Sequence, residues 1–403
     1  MDLELINAIQ VQPFETSCLE RKYLLSIRER HYEVSESVAQ LIDIMKSSGS
    51  SEEMAVKLSE IKNQKYTKDH IVSFYEKYIA PMLVEQEKEP KGMFLWKTEL
   101  IPPSIVEIFL KGLKLFFKPA AITIMLLAII TCEILFFTND MTFSLGYVDV
   151  FVIGGILLLY VASSFFHELG HAAACRYFGA KQRGIGFGLY LNFPAFYTDV
   201  SDIWKLSRKQ RMVVNFAGIY FQTIFLLPFF LIYFITGNNI VKYFIFTINF
   251  NFLFTLNPFF KFDGYWIMTD ALGVANLRNR STEFLGYLKD RILHRTVDNR
   301  SFLMTIKKPA RVVLAIYSII VNLFFVYYFG YILPRFLKFF FLNFPTLFRK
   351  LINEIAVGNM PALNLITGVI GQFLAFALMV YFAYRMLIPI IKKGIGIFKK
   401  NNA

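Results

Sequence analysis

The motif with the clearest chemistry is FFHELGH, residues 165–171. His167 and His171 are four positions apart, so on a helix they share a face and can present two imidazole nitrogens to one zinc ion. Glu168 follows the first histidine, where it can act as general base toward a zinc-activated water. Three ionisable groups within five residues of an apolar span are costly without a functional reason. The motif therefore predicts a catalytic zinc site.

A catalytic zinc commonly takes three protein ligands, so a third must come from elsewhere. The remaining histidines, His31, His70 and His294, lie in predicted soluble or loop regions. Asp263 is the better candidate, in the sequence TLNPFFKFDGYW at 255–266. A helix is expected to break at Pro258, and irregular backbone at membrane depth is tolerated where it is buried in protein or lines a wet cavity. By itself, this segment would be interpreted as a polar turn at a helix end. Because the same chain contains the HELGH motif, we predict that Asp263 is the third ligand.

The composition places these residues in a membrane. The chain has 403 residues, of which 55% are hydrophobic and 17% aromatic, and a net charge of +13. Lysine and arginine cluster beside apolar stretches, as they do in cytoplasmic loops, which favours membrane topology over nucleic-acid binding. The three cysteines form no disulfide framework, and the N-terminus has no signal-peptide pattern. We therefore expect no nucleic-acid partner and an N-terminal stretch that stays in the cytoplasm.

Apolar stretches long enough to cross a bilayer predict about six spans. They are 119–138, 148–171, 212–236, 240–258, 312–333 and 362–391. The positive-inside rule then predicts two cytoplasmic ends. This topology makes the stretch 334–361 a loop on the non-cytoplasmic side, although it contains four basic residues. A re-entrant or interfacial helix is the alternative there. The predicted fold class is mainly α, a polytopic membrane helical bundle with a small N-terminal domain.

The pattern of residues 1–90 predicts a winged-helix-like α+β cytoplasmic domain. Two short strands, 22–27 and 31–34, precede three helices that begin near Ser35, Ser50 and Thr67. Residues 91–118 are expected to form an amphipathic juxtamembrane linker on the membrane surface. Residues 119–403 form the predicted membrane domain.

HELGH together with NPFFKFDG resembles the site-2 protease family of intramembrane zinc metallopeptidases, over roughly residues 145–275. The resemblance implies that His167, His171 and Asp263 bind Zn²⁺ and that Glu168 is the catalytic acid and base. The chain departs from the family at one point: the asparagine three residues before the proline is replaced by Thr255. Asn257 or Asn251 is then the candidate for a substrate-binding or oxyanion role.

The sequence GIGFGLYLNFPAFYTD, residues 184–199, also resembles that family. Its alternating apolar residues predict a strand or hairpin at membrane level that could pair with an extended substrate. Gly186 and Gly188 are candidate substrate-binding residues on it. Asp199 and Asp202 are competing carboxylates for which we expect loop or helix-capping roles.

One N-terminal sequence segment resembles the PqqD-like element that binds leader peptides of ribosomally made, modified peptides. The segment is YLLSIRERHYEVSESVAQLIDIMKSSGSSEEMAVKL. The resemblance implies docking of a leader by strand addition; a cytoplasmic cap without a ligand is the alternative. With YTDVSDIWKL and NPFFKFDGYW, the chain resembles the peptide-maturation branch of the protease family, found in bacteria.

These patterns lead to one main expectation and two alternatives. The main one is a zinc metalloendopeptidase of the bacterial cytoplasmic (inner) membrane that cleaves a precursor peptide, with that peptide and the lipid bilayer as partners. One alternative is a regulatory site-2 protease that cleaves a membrane-bound regulator. The other is a zinc-site protein for peptide export or immunity that cuts nothing. The substrate and the oligomeric state stay open.

Overall fold

The computed structural model of the chain describes residues 6–27, 30–48, 50–83, 94–139, 150–190, 193–293 and 302–401. The protein is mainly helical and divides into two compact units. The first unit comprises 1–92, 97–188 and 195–315, and it contains every residue of the predicted zinc site. The second comprises 93–96, 189–194 and 316–403.

The first unit opens with an antiparallel sheet and helices that cover it. The strands are β1 (Gln10–Phe14), β2 (Lys22–Ile27) and β3 (Arg30–Ser35), in the order β1-β2-β3. The helices are α1 (Glu36–Lys46), α2 (Ser51–Lys62), α3 (Lys68–Phe74) and α4 (Ala80–Leu83). Two predicted strands and three predicted helix starts are confirmed, while β1 is an addition to the prediction.

Local capping explains two of those helix starts. The Ser50 side chain accepts a hydrogen bond from the Glu53 amide. Thr67 and His70 form a reciprocal capping box at the start of α3. Each cap satisfies amides that the helix itself leaves without a partner, so the helices begin where the sequence predicts.

A second sheet follows the N-terminal region. It consists of β4 (Phe94–Ile101), β5 (Ile185–Tyr190) and β6 (Phe193–Thr198), in the order β4-β5-β6. After β4 come helix α5 (Pro103–Leu113) and a 3-10 turn (Lys114–Phe117). The stretch 91–118, expected as one amphipathic run, therefore contains a strand before its helix, and the hairpin expected within 184–199 is present as β5 and β6. The three-domain division of the chain stays a prediction.

Five helical stretches of the described residues are long and apolar enough to cross a membrane. They are Pro119–Thr138, Val152–Tyr177, Arg208–Thr236, Lys308–Ala356 and Leu363–Ile388. They correspond to α6 (Pro119–Thr138), α7 (Val150–Tyr177), α8 (Arg208–Thr236), α12 (Lys308–Tyr327) with α13 (Leu333–Ala356), and α14 (Leu363–Asn401). Between them lie α9 (Asn239–Thr255), α10 (Asp263–Leu272) and α11 (Leu277–Ile292).

By length and apolar composition the described residues therefore contain five candidate spans, one fewer than the six predicted. The stretch 240–258 corresponds to α9, which has 17 residues. At about 1.5 Å per residue it is about 25 Å long, shorter than the roughly 30 Å of a hydrocarbon core. Pro258 lies beyond its end and contributes no further helical turn.

The stretch 334–361 is helical over most of its length, which agrees with the alternative of a helix there and not with a loop. Helix α12 continues through a π turn, Tyr328–Ile332, directly into α13. Within the second unit, α13 packs against α14, and the rings of Phe340 and Phe376 stack with centroids 4.1 Å apart. The four basic residues that conflicted with an outside loop lie on an amphipathic helix whose apolar face has this partner.

Candidate metal centre

Helix α7 brings the two histidines of the motif together. The Nε2 atoms of His167 and His171 lie 3.0 Å apart. The helix continues six residues beyond His171, to Tyr177, so the motif lies inside a helix and not at its end as expected. Regular helical backbone on both sides of the pair fixes the separation of the two rings.

Asp263 joins them from a helix that begins after a sharp break. Helix α9 ends at Thr255, ahead of Pro258, and the Asn257 side-chain oxygen accepts a hydrogen bond of 2.8 Å from the Phe259 amide. A Cβ atom on Gly264 would lie 2.0 Å from the Leu256 carbonyl oxygen. The chain can fold back this closely only because residue 264 is glycine. The predicted break is confirmed, and it places Asp263 at the first position of α10.

The carboxylate of Asp263 lies beside both imidazoles. Its Oδ2 atom is 2.9 Å from His167 Nε2 and 3.3 Å from His171 Nε2. Ligands at about 2.0–2.1 Å from a tetrahedral zinc are separated by about 3.3 Å. The three donor atoms therefore have nearly the spacing that one zinc ion requires.

Hydrogen bonds on the far side of each ring fix which nitrogen carries the proton. His171 Nδ1 lies 2.8 Å from the Val214 carbonyl oxygen, which can only accept. His167 Nδ1 lies 3.0 Å from Gln222 Oε1, and the Gln222 amide nitrogen donates to Ser163. Both Nδ1 atoms therefore donate, and in the neutral rings both Nε2 atoms carry lone pairs.

With both rings in this neutral tautomer, three lone-pair donors converge. Asp263 Oδ2 is buried and accepts no hydrogen bond, although two ring nitrogens are within 3.3 Å. Such an arrangement is electrostatically unfavourable unless a proton on one ring or a metal cation lies among the donors. The donor set of two imidazoles and a carboxylate suits zinc. These residues therefore fit the metal that the sequence predicts.

Helix α8 supplies the layer behind the donors. Val214, Gly218 and Gln222 are spaced by four, so they share one face of that helix. A Cβ atom on Gly218 would lie 2.4 Å from His167 Nε2 and 2.5 Å from His171 Nε2. The sequence motifs predicted none of these three residues. The one available signal was Gln222, a polar residue in a largely apolar span, and its side chain is only 1% exposed.

The same helix holds α10 in place. Arg211 donates to Asp270 Oδ1 at 2.6 Å, and Asn215 donates to Asp270 Oδ2 at 3.0 Å; all three side chains are buried. Burial raises the pKa of Asp270, and the neighbouring Arg211 opposes that shift. Asp270 lies seven residues after Asp263, two helical turns along the same face. The ion pair therefore fixes α10 against the helix that supports the imidazoles.

Glu168 is buried and follows His167 in the sequence. It is 9% exposed, and its backbone carbonyl accepts a hydrogen bond of 3.3 Å from the Thr198 hydroxyl of β6. The second sheet is therefore joined to α7 at the residue expected to act as the base.

The three residues predicted to bind substrate, Gly186, Gly188 and Asn257, lie in a strand and in a turn. Strand β5, which carries Gly186 and Gly188, is the middle strand of its sheet. A Cβ atom on Gly186 would lie 2.3 Å from the Tyr197 ring, so this glycine makes room for a cross-strand aromatic. Asn257 uses its side-chain oxygen in the turn before α10. A role for these three residues toward a substrate stays a prediction.

The competing carboxylates lie in loop hydrogen bonds, as expected. Asp199 accepts from Ser201 and pairs with Arg183, while Asp202 accepts from the Lys181 amide.

Of the histidines set aside earlier, His31 lies 3.9 Å from Asp202 and His70 caps α3; His294 is outside the described residues. The metal-ligand group found within the described ranges consists of His167, His171 and Asp263.

Comparison with known proteins adds one relative. The chain is 32% identical over 66 residues to the "Putative peptide zinc metalloprotease protein YydH" of Bacillus subtilis (strain 168). The match covers 16% of this chain and 26% of that protein, so the chain spans about a quarter of the relative's length. No family model matches the chain, and no solved structure does. This distant similarity suggests a metalloprotease role.

Gly218 provides a direct test of the metal centre. We expect Gly218→Ala to bind zinc at least tenfold more weakly, because its methyl group would occupy space that the two Nε2 atoms need. Zinc affinity of the purified protein, measured by competition with a chelator, checks this. Gly286→Ala, which has open space around the new methyl group, is the matched control. Equal affinities in the two variants would contradict the assigned geometry.

Proposed function

We propose that this protein is a zinc-dependent intramembrane endopeptidase of the site-2 protease type that cleaves a ribosomally made precursor peptide. The observation that carries the proposal is the convergence of the His167, His171 and Asp263 donor atoms, with Glu168 next to the first of them in the sequence. The five apolar helices and the similarity to a protein named as a zinc metalloprotease support it.

The residues of the centre divide the chemistry between them. Zinc, when bound by His167, His171 and Asp263, would polarise the scissile carbonyl and lower the pKa of a water to about 7. Glu168 takes the proton from the attacking water and returns it to the leaving amine, which balances the hydrolysis of one peptide bond. The Val214 carbonyl and Gln222 hold both rings in the tautomer that leaves Nε2 free.

An extended substrate has a plausible place on the second sheet. Because β5 lies in the middle, the edges of that sheet belong to β4 and β6. Strand β6 is tied to Glu168 through Thr198, so a peptide added along β6 would run toward the base. Strand addition also keeps the peptide backbone extended, the conformation in which proteases cut it.

The N-terminal sheet is the proposed docking site for the leader of the precursor. Its edges are β1 and β3. Pro13 in β1 has no amide to donate, whereas β3 contains no proline. We therefore assign leader binding to β3, with the chain in a bacterial cytoplasmic membrane and its N-terminal region on the cytoplasmic side. Tethering at this site raises the local substrate concentration near the zinc.

Hydrolysis is favoured over metal binding alone, and peptide maturation over cleavage of a regulator. A metal-binding role in export or immunity gives no reason to bury a carboxylate next to a ligand, as Glu168 is. A docking sheet for a leader would have no use in a protease that only cuts a membrane-bound regulator.

The Glu168→Gln variant separates binding from catalysis. We expect it to keep zinc and to lose cleavage by at least 10²-fold, because the amide cannot take a proton from water. Purified protein incubated with the candidate precursor is analysed by mass spectrometry for a zinc-dependent mass change. Glu283→Gln, at an exposed site on α11, is the control; undiminished cleavage by Glu168→Gln would remove the base assignment.

The Asp263→Ala variant tests the third ligand. We expect a loss of zinc affinity of at least tenfold, since one of three donors is removed and two imidazoles remain. The zinc content of the purified variant is measured against Asp69→Ala, an exposed aspartate on α3. Full occupancy of Asp263→Ala would show that its carboxylate is not a ligand.

Leader docking is tested by competition. An excess of a synthetic leader fragment that lacks the cleavage site should raise the apparent KM for the full precursor and leave kcat unchanged, because it occupies β3 and not the zinc site. Hydrolysis of a short peptide that spans only the scissile bond is the control and should not respond. Equal inhibition of both substrates would place the fragment at the active site and contradict a separate docking sheet.

A further inference from the structure

The end of α10 opposite Asp263 is capped by a residue from the N-terminal region. The last carbonyls of a helix lack partners within the helix and must find donors elsewhere. The Ser17 hydroxyl donates to the Leu272 carbonyl at 2.5 Å, and the Ser17 amide donates to the Gly273 carbonyl at 2.9 Å. One N-terminal residue therefore satisfies two of these groups.

Arg208, the first residue of α8, donates to the two carbonyls before them, and the Asp270 carbonyl also accepts from the Gly273 amide at 3.1 Å. Its Nε atom donates to the Asp270 carbonyl at 2.9 Å and its Nη2 atom to the Ala271 carbonyl at 2.6 Å. The Arg208 amide in turn donates to the Glu15 carboxylate at 3.0 Å. Four consecutive carbonyls, 270–273, thus have donors from two residues that are themselves linked through Glu15.

The cap is tightly packed around Gly273. This residue has a φ of +61°, the left-handed conformation that commonly ends a helix. A Cβ atom there would lie 2.7 Å from Arg208 Cζ and 3.0 Å from the Ser17 amide nitrogen. The three residues therefore meet at one point, with no room for a side chain at position 273.

The segment Ser17–Leu19, which caps α10, also forms hydrogen bonds with residues that precede α12. The Ser17 carbonyl accepts from the Lys307 amide at 2.9 Å, and the Leu19 amide donates to the Thr305 carbonyl at 2.7 Å. Ser17 is buried and follows β1 by three residues. The segment is therefore an ordered part of the unit that contains the metal centre.

We propose that Ser17 and Arg208 are positioning residues that set Asp263 in the metal centre; this inference rests on the proposed function. Helix α10 has ten residues, about 15 Å, and behaves as a short rigid rod. The buried Asp270 side chain holds the last turn of the helix to α8, and the cap holds the end of that turn. A displaced cap tilts the rod and moves the carboxylate at its start. The N-terminal region thereby takes part in forming the zinc site, in addition to any peptide that it docks.

The test uses the full-length protein in detergent and the metal alone. We expect Ser17→Ala and Arg208→Met each to raise the zinc dissociation constant about fivefold, the ratio that corresponds to losing roughly one hydrogen bond. Absorption bands of the cobalt-substituted protein should shift in both variants, because they report ligand geometry. Ser73→Ala removes a comparable hydroxyl-to-carbonyl bond on an exposed helix and should change neither measurement.

Two outcomes overturn the proposal. One is unchanged zinc affinity and unchanged cobalt spectra in folded Ser17→Ala and Arg208→Met. The other is a lower thermal midpoint with unchanged affinity, since that result marks a purely structural cap. If Ser17→Ala does not fold, the decision rests on Arg208→Met with Arg208→Lys, which keeps one donor and should lie between Arg208→Met and wild type. Failure of the proposed function is a separate result: a wild-type protein that binds no zinc.

Discussion

Two imidazole nitrogens and one carboxylate oxygen lie within 3.3 Å of one another in the interior of this protein, and each offers a lone pair when both rings are neutral. In a medium of low dielectric constant, unpaired donors of this kind repel one another strongly. The surrounding structure must hold them against that repulsion, and a bound cation turns it into attraction. Much of the first unit can be understood as the scaffold that this arrangement requires.

Helix α8 is the central part of that scaffold. One of its faces contacts the Asp270 carboxylate through Arg211 and Asn215, and makes room for the imidazoles at Gly218. A turn further on, Gln222 accepts from the His167 ring. The polar side chains that this face buries are paired, which is the condition for placing polar groups in an apolar bundle. The identity of each residue on the face follows from what it meets.

The first unit also joins the N-terminal region to the metal centre. The segment after β1 contacts the end of α10 and the start of α8, and the Phe14 ring lies near Trp204 with centroids 6.0 Å apart. A peptide-recognition element attached by a flexible linker would act only by raising local concentration. An element that caps the helix of a metal ligand can act on the geometry of the site as well, because helices transmit displacement along their axes.

The sequence by itself determined the features that depend on neighbours along the chain. The histidine spacing in HELGH, the helix break before Pro258, the β5–β6 hairpin and the caps at Ser50 and Thr67 all follow from contacts within a few residues. Apolar length likewise indicated a membrane protein, although α9 is too short to count and α13 was predicted as a loop with a helix as the alternative. Only the tertiary structure decided which residues support the donors: the roles of Gly218, Gln222 and Ser17 cannot be assigned from neighbours along the chain, because each is required by a partner more than 45 residues away. Packing between distant segments sets those requirements, and periodicity along one segment cannot express them.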